Sequence, residues 1–141
     1  MTVVFLGAKP GEAVPSLWSC IAGAAEPCRA PLFSPIGVTP VPRRRPRLFA
    51  LDLSDEGGRA AGLHRAAAGA LSAAGLHEPE DRPFWPHVTL ARVRRRARSA
   101  RWAPEDPWGR SFTSRSLTLY QSRPSPTGPR YRVLETLELA G

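Results

Sequence analysis

The run Pro83-Phe84-Trp85-Pro86-His87-Val88-Thr89-Leu90-Ala91-Arg92 carries the residue types from which phosphate chemistry is built. Residues two apart on an extended strand point the same way. His87 and Thr89 therefore share one face, while Val88 and Leu90 turn toward a core. An imidazole moves protons near neutral pH. A hydroxyl and a guanidinium hold an anion, which assigns Thr89 and Arg92 to a phosphate group. One base on one strand is half of an acid–base site, so a second group must face it. His64 falls in an alanine-rich helical stretch and His77 in a polar loop. Neither has the strand placement that a partner of His87 needs.

The elements that would position this unit follow from pattern. Val3, Val4, Phe5 and Leu6 favour extended structure, so Met1 to Leu6 reads as a strand ended by Gly7. Pro15 suits the first turn of a helix running to Ala25, with Leu17, Trp18, Ile21 and Ala25 on one side. Leu32 to Val38 reads as a strand, at an edge because of Pro31 and Pro35. A strand over Arg47 to Leu53 follows. Ser54 or Asp55 caps a second helix, whose stripe is Leu63, Ala67, Ala70, Leu71 and Ala74 and whose stop is Gly75. The strand bearing the motif spans Trp85 to Val93. Two last strands, Phe112 to Ser122 and Arg130 to Leu139, flank a proline-rich turn. Strands with two interspersed helices indicate an α+β fold with a largely antiparallel sheet. No glycine-rich phosphate loop precedes a helix, and there is no Gly-x-Ser-x-Gly elbow, which argues against nucleotide hydrolases and serine hydrolases.

The 141 residues predict one domain, residues 1–141. No apolar run approaches a membrane span, and the first residues lack a basic leader, so a cytoplasmic protein with no membrane partner is expected. Cys20 and Cys28 have no paired His-Cys spacing, so no metal site and no disulfide are expected.

Charge adds a second clue. The formal net charge is +8, and Lys9 is the sole lysine. Arg43, Arg44, Arg45 and Arg47 form one cluster; Arg92, Arg94, Arg95, Arg96, Arg98 and Arg101 form another. Without these ten arginines the chain holds ten basic and twelve acidic residues. The positive excess thus lies wholly in two short segments. It reads either as a solvated basic surface or as a patch for a polyanion such as nucleic acid.

At Pro86-His87-Val88-Thr89-Leu90-Ala91-Arg92 the chain resembles the two-histidine phosphoesterase superfamily, and within it the RNA 2′,3′-cyclic phosphodiesterases, also called 2′-5′ RNA ligases. Arg82-Pro83-Phe84 resembles the approach to that family's second motif. Arg44-Arg45-Pro46-Arg47-Leu48 resembles its arginine-proline entry to a central strand. Leu119-Tyr120-Gln121-Ser122, Gly128 and Tyr131-Arg132-Val133-Leu134 resemble its C-terminal hairpin. The family carries two His-x-Thr units facing each other from two pseudo-symmetric lobes. Phe5-Leu6-Gly7 resembles the end of the first, which puts Thr2 on its threonine and its histidine immediately before Met1. The resemblance therefore implies an N-terminally truncated member whose first strand and helix are missing. It implies a two-lobed α+β fold of mostly antiparallel sheets with flanking helices. The implied reaction is metal-independent hydrolysis of RNA 2′,3′-cyclic phosphate ends to 2′-phosphates, with reversible 2′-5′ ligation, and no cofactor. His87, Thr89 and Thr2 are the implied catalytic residues, and Arg92, Thr89 and Thr2 the phosphate ligands. Arg44, Arg45, Arg47, Arg94 and Arg95 would track the RNA backbone. RNA with cyclic phosphate ends, tRNA fragments among them, is the implied partner, with no obligate protein partner. The competing expectation is a catalytically impaired RNA-binding protein that lacks the first-motif histidine.

Overall fold

Leu17, Ile21 and Ala25 recur every fourth residue, and that spacing gives helix α1, Val14–Ala25, its buried stripe. Pro15 occupies its first turn, where no helical N–H is needed. The computed structural model describes residues 1–78, 80–93, 109–126 and 128–141. Arg94, Arg95, Arg96, Arg98 and Arg101, with Trp102 and Trp108, lie outside the described residues.

Strands β1, Leu32–Val41, and β2, Leu48–Asp55, form an antiparallel hairpin. Helix α2, Arg59–Ala73, follows a single 3-10 turn over Glu56–Gly58. Asp55 caps α2 across that turn: its two carboxylate oxygens accept from the backbone N–H groups of Ala60 and Ala61, each at 2.8 Å. At the other end Gly75 adopts φ 69°, a left-handed conformation that costs a glycine nothing. Its N–H donates to the Ser72 carbonyl at 2.9 Å and that of Leu76 to Leu71 at 2.8 Å, the paired bonds of a Schellman stop. Then come β3, His87–Arg92, β4, Phe112–Thr113, β5, Ser116–Arg123, and β6, Arg130–Glu138.

One sheet runs β3-β2-β1-β4 and the other is the β5–β6 hairpin, with antiparallel strand pairs throughout. The fold is the two-lobed α+β arrangement the resemblance implies. Because β4 pairs only with Leu32 and Phe33, most of β1 is an edge among the described residues. Its Pro35 sits beside a register shift before Gly37, a place where a missing N–H is tolerated.

Two sequence expectations are corrected. Met1 to Leu6 is not a strand, because no described segment offers it a backbone ladder. Its apolar residues are used nonetheless, Val4 and Leu6 packing on one core cluster and Val3 on another. The stretch from Phe112 to Ser122 is not one strand either. It crosses between sheets, Phe112–Thr113 pairing with β1 and Ser116–Arg123 with β6.

Helix α2 is backed by all three core clusters. Its Leu71 meets Leu17, Ile21 and Leu119; its Leu63 meets Ala25, Ala30 and Leu139; its Ala60 meets Phe33 and Leu53. Both sheets thus rest on one helix. Cys20 and Cys28 are free thiols. No helix among the described residues is long and apolar enough to cross a membrane.

Candidate active site

Residues directly opposite each other in an antiparallel pair share a face. On β2, Leu51 and Leu53 join the core cluster around Phe33 and Ala60, so Leu48, Ala50 and Asp52 face the other way. The β2–β3 register sets Asp52 opposite His87, Ala50 opposite Thr89 and Leu48 opposite Arg92. His87, Thr89 and Arg92 therefore stand on one face, away from the core, and Val88 packs into it. Arg92 lies three positions beyond Thr89, and strict alternation would put them on opposite faces. The register shifts here: Phe49 pairs with Ala91 and Ala50 with Thr89, leaving Leu90 as the extra residue of a bulge. That one residue returns the guanidinium to the His87 face.

The imidazole is held from two directions. His87 Nδ1 lies 2.8 Å from the Trp85 carbonyl oxygen. A carbonyl only accepts, so Nδ1 carries a proton and donates; in the neutral ring Nε2 is then the free acceptor. The Trp85 indole stacks on the same ring, with centroids 4.0 Å apart and planes at 17°. The indole is anchored in turn, its Nε1–H donating to Asp52 Oδ1 at 2.9 Å. Thr39 Oγ1 donates to Asp52 Oδ2 at 2.6 Å. Asp52 thus ties β1, β2 and the residues ahead of β3 into one support behind the base.

An open cleft of about 640 Å³ is lined by Thr2, His87, Thr89 and Arg92 together with Tyr120, Pro129 and Tyr131 from the β5–β6 hairpin and its turn. Arg44, Arg45 and Arg47 are not in this cleft. They are exposed in the turn joining β1 to β2. The Val93 N–H donates to the Arg47 carbonyl at 2.8 Å, which puts that turn at the Arg92 end of the sheet. Arg94 and Arg95 fall outside the described residues. His64 and His77 lie elsewhere. His64 Nδ1 donates to the Val3 carbonyl at 2.7 Å, and its ring stacks on Phe84 with centroids 4.7 Å apart. His77 lines a separate cavity with Phe5, Leu6 and Lys9. Among the described residues lining the cleft, His87 is the one imidazole.

Sequence reasoning missed Asp52, Thr39 and the two tyrosines as members of this site. An aspartate inside Leu48-Phe49-Ala50-Leu51-Asp52-Leu53 was the available signal, since a carboxylate amid apolar strand residues needs partners. Among the described residues no cluster of His, Cys, Asp or Glu is placed to hold a metal ion.

This arrangement has a base with a free nitrogen, hydroxyls and a guanidinium for an anion, and room for a small molecule. No protein-family model matches the chain. The RNA 2′,3′-cyclic phosphodiesterase of Thermus thermophilus is 33% identical to it over 148 residues, an alignment covering 100% of this chain and 72% of the relative. Among solved structures, TT0787 of Thermus thermophilus superimposes with a TM-score of 0.82 at 29% identity, covering 99% of this chain and 77% of that one. Escherichia coli LigT, crystallised with 3′-AMP, superimposes with a TM-score of 0.76 at 23% identity over 99% of this chain and 76% of its own; that likeness bears on the fold.

Proposed function

Because the chain belongs to the RNA 2′,3′-cyclic phosphodiesterase family of two-histidine phosphoesterases, we propose that it opens 2′,3′-cyclic phosphates at RNA ends to leave 2′-phosphates. The observation that carries this reading is the juxtaposition of His87, Thr89, Arg92 and Thr2 in one cleft. His87 Nε2 takes a proton from water, whose oxygen attacks phosphorus. The bond from phosphorus to the 3′ oxygen breaks, and that oxygen receives a proton. Thr89, Thr2 and Arg92 hold the phosphoryl oxygens as negative charge develops. By the resemblance, that proton comes from a second group, a general acid on the Thr2 side of the cleft. A 5′-hydroxyl in place of water gives 2′-5′ ligation through the same proton transfers. Neither version calls on a metal or cofactor. Arg44, Arg45 and Arg47, with Arg94 and Arg95, follow the RNA backbone, tRNA fragments being one source of such ends. The reading takes residues 1–141 as one domain, supported by the helix that backs both sheets, and places it in the cytoplasm.

A second reading, an RNA-binding protein without turnover, draws on the single imidazole among the described cleft residues. One experiment decides between them. A short RNA with a 2′,3′-cyclic phosphate end is incubated with the protein and with His87→Ala. Loss of about 100- to 10,000-fold in rate, with RNA binding retained, is expected for removal of a general base. Unchanged turnover by the variant overturns the assignment of His87. Salt-sensitive binding with no turnover by the parent protein establishes the second reading.

A further inference from the structure

We propose that Tyr120 and Tyr131 form a nucleobase platform, so that this cleft selects cyclic phosphates borne by a nucleoside over those that carry no base. The proposal rests on the cyclic phosphodiesterase reading for its phosphate site and adds the residues that recognise the rest of the substrate.

The β5–β6 register is the first ground. Tyr120 lies opposite Val133 and Ser122 opposite Tyr131, so the two tyrosines are diagonal neighbours on one face. Leu117 and Leu119, which alternate with Tyr120, pack into the core clusters, so the tyrosine face is the other side of the hairpin. Both tyrosines line the same cleft as His87, Thr89 and Arg92 of β3. The rings meet edge to face, with centroids 6.1 Å apart and planes at 78°. Such a pair leaves ring faces open to a third aromatic group. Tyr120 is 53% exposed and Tyr131 65% exposed, whereas Phe33 and Phe49 are buried in the core.

Among the described residues, the other exposed aromatic rings are already engaged or lie elsewhere. Trp85 is stacked on His87, Phe112 lies against Phe33 with centroids 5.6 Å apart, and Phe5 lines the other cavity. Among the described residues, the tyrosine pair lines the cleft together with the phosphate-binding groups. The cleft volume of about 640 Å³ falls within the range of ligand clefts, roughly 300–1,000 Å³, and exceeds what a phosphate alone would use. A purine or pyrimidine is the flat π surface that a pair of tyrosines recognises without regard to sequence.

The test uses binding, which needs no turnover. Adenosine 2′-monophosphate and glycerol 2-phosphate are titrated calorimetrically into the protein, Tyr131→Ala, Tyr120→Ala and Tyr131→Phe. The unaltered protein should bind the adenosine compound at least about 5-fold more tightly than the glycerol compound. Each alanine variant should lose about 5- to 150-fold in affinity for the adenosine compound, the span of base–aromatic stacking. Affinity for glycerol 2-phosphate should stay the same, and Tyr131→Phe should retain the preference. Equal affinity for the two ligands, equal losses for both, or no loss in either alanine variant overturns the platform. So does absence of adenosine 2′-monophosphate binding at low salt. If base selectivity is found while His87→Ala leaves turnover unchanged, the platform stands and the catalytic assignment fails.

Discussion

Replacing Trp85 by alanine removes the indole from the His87 ring but leaves the backbone carbonyl that accepts from Nδ1. The phosphate-binding side chains are untouched. The loss therefore falls on how often the imidazole occupies its working rotamer. An aromatic stack at 4.0 Å and 17° is a contact worth about 0.5–1.5 kcal/mol. If all of it biases that rotamer, its removal lowers kcat about 2- to 13-fold, with KM changed by less than about 2-fold. Trp85→Phe keeps a stacked ring and loses the indole N–H that donates to Asp52, so it should recover most of kcat. Initial rates on a short RNA with a 2′,3′-cyclic phosphate end, taken across substrate concentration, separate the two constants. A rise in KM with kcat unchanged refutes the reasoning, since it would make Trp85 a substrate contact. An unchanged kcat in Trp85→Ala refutes it as well.

Two further perturbations read other links in the same chain of cause. Asp55→Ala removes the acceptors of the Ala60 and Ala61 N–H groups and should cost about 1–2 kcal/mol in urea unfolding; a loss under about 0.5 kcal/mol would show that the cap is idle. Replacing Arg44, Arg45 and Arg47 together by glutamine should lower the slope of log affinity against log salt by about 2 for single-stranded RNA, at about 0.7 per phosphate contact. Fluorescence anisotropy at several salt concentrations measures it, and an unchanged slope removes these residues from the RNA path.

Helices α1 and α2 were legible because their stops and much of their stripes are local: four-residue spacing, Pro15 near the first turn, Gly75 past the last. On α2, however, Ala60 and Ala68 are buried with Leu63, Ala67 and Leu71, while Ala70 is half-buried and Ala74 is exposed past the last turn. The facing of His87 and Thr89 was legible too, since alternation holds between them. The facing of Arg92 depends on the bulge at Leu90, and nothing in Leu90-Ala91-Arg92 announces an extra residue. Residues Met1 to Leu6 have strand composition, yet a strand also needs a neighbour with free backbone groups, which composition does not report. The break between Phe112–Thr113 and Ser116–Arg123 was hidden for a related reason. Both halves favour extended structure, and only their partners differ. Asp52 was passed over because its partners, Thr39 and Trp85, are remote in sequence.

Helix α2 touches the cores behind both walls of the cleft, through Leu71 and Leu63 toward the β5–β6 hairpin and Ala60 toward β2. The cleft therefore has an axle behind it. Its two jaws, one bearing His87 and the other Tyr120 and Tyr131, share no strand. They are joined at the rear by this helix and by the Ala30 N–H bond to the Ala140 carbonyl at 2.6 Å, so how the helix seats bears on their gape. A change of side-chain size at Ala67 or Ala68, buried on α2, would act as a shim and alter the spacing between the jaws without touching a cleft residue. Grip on the ligand is then adjustable from a place no ligand reaches.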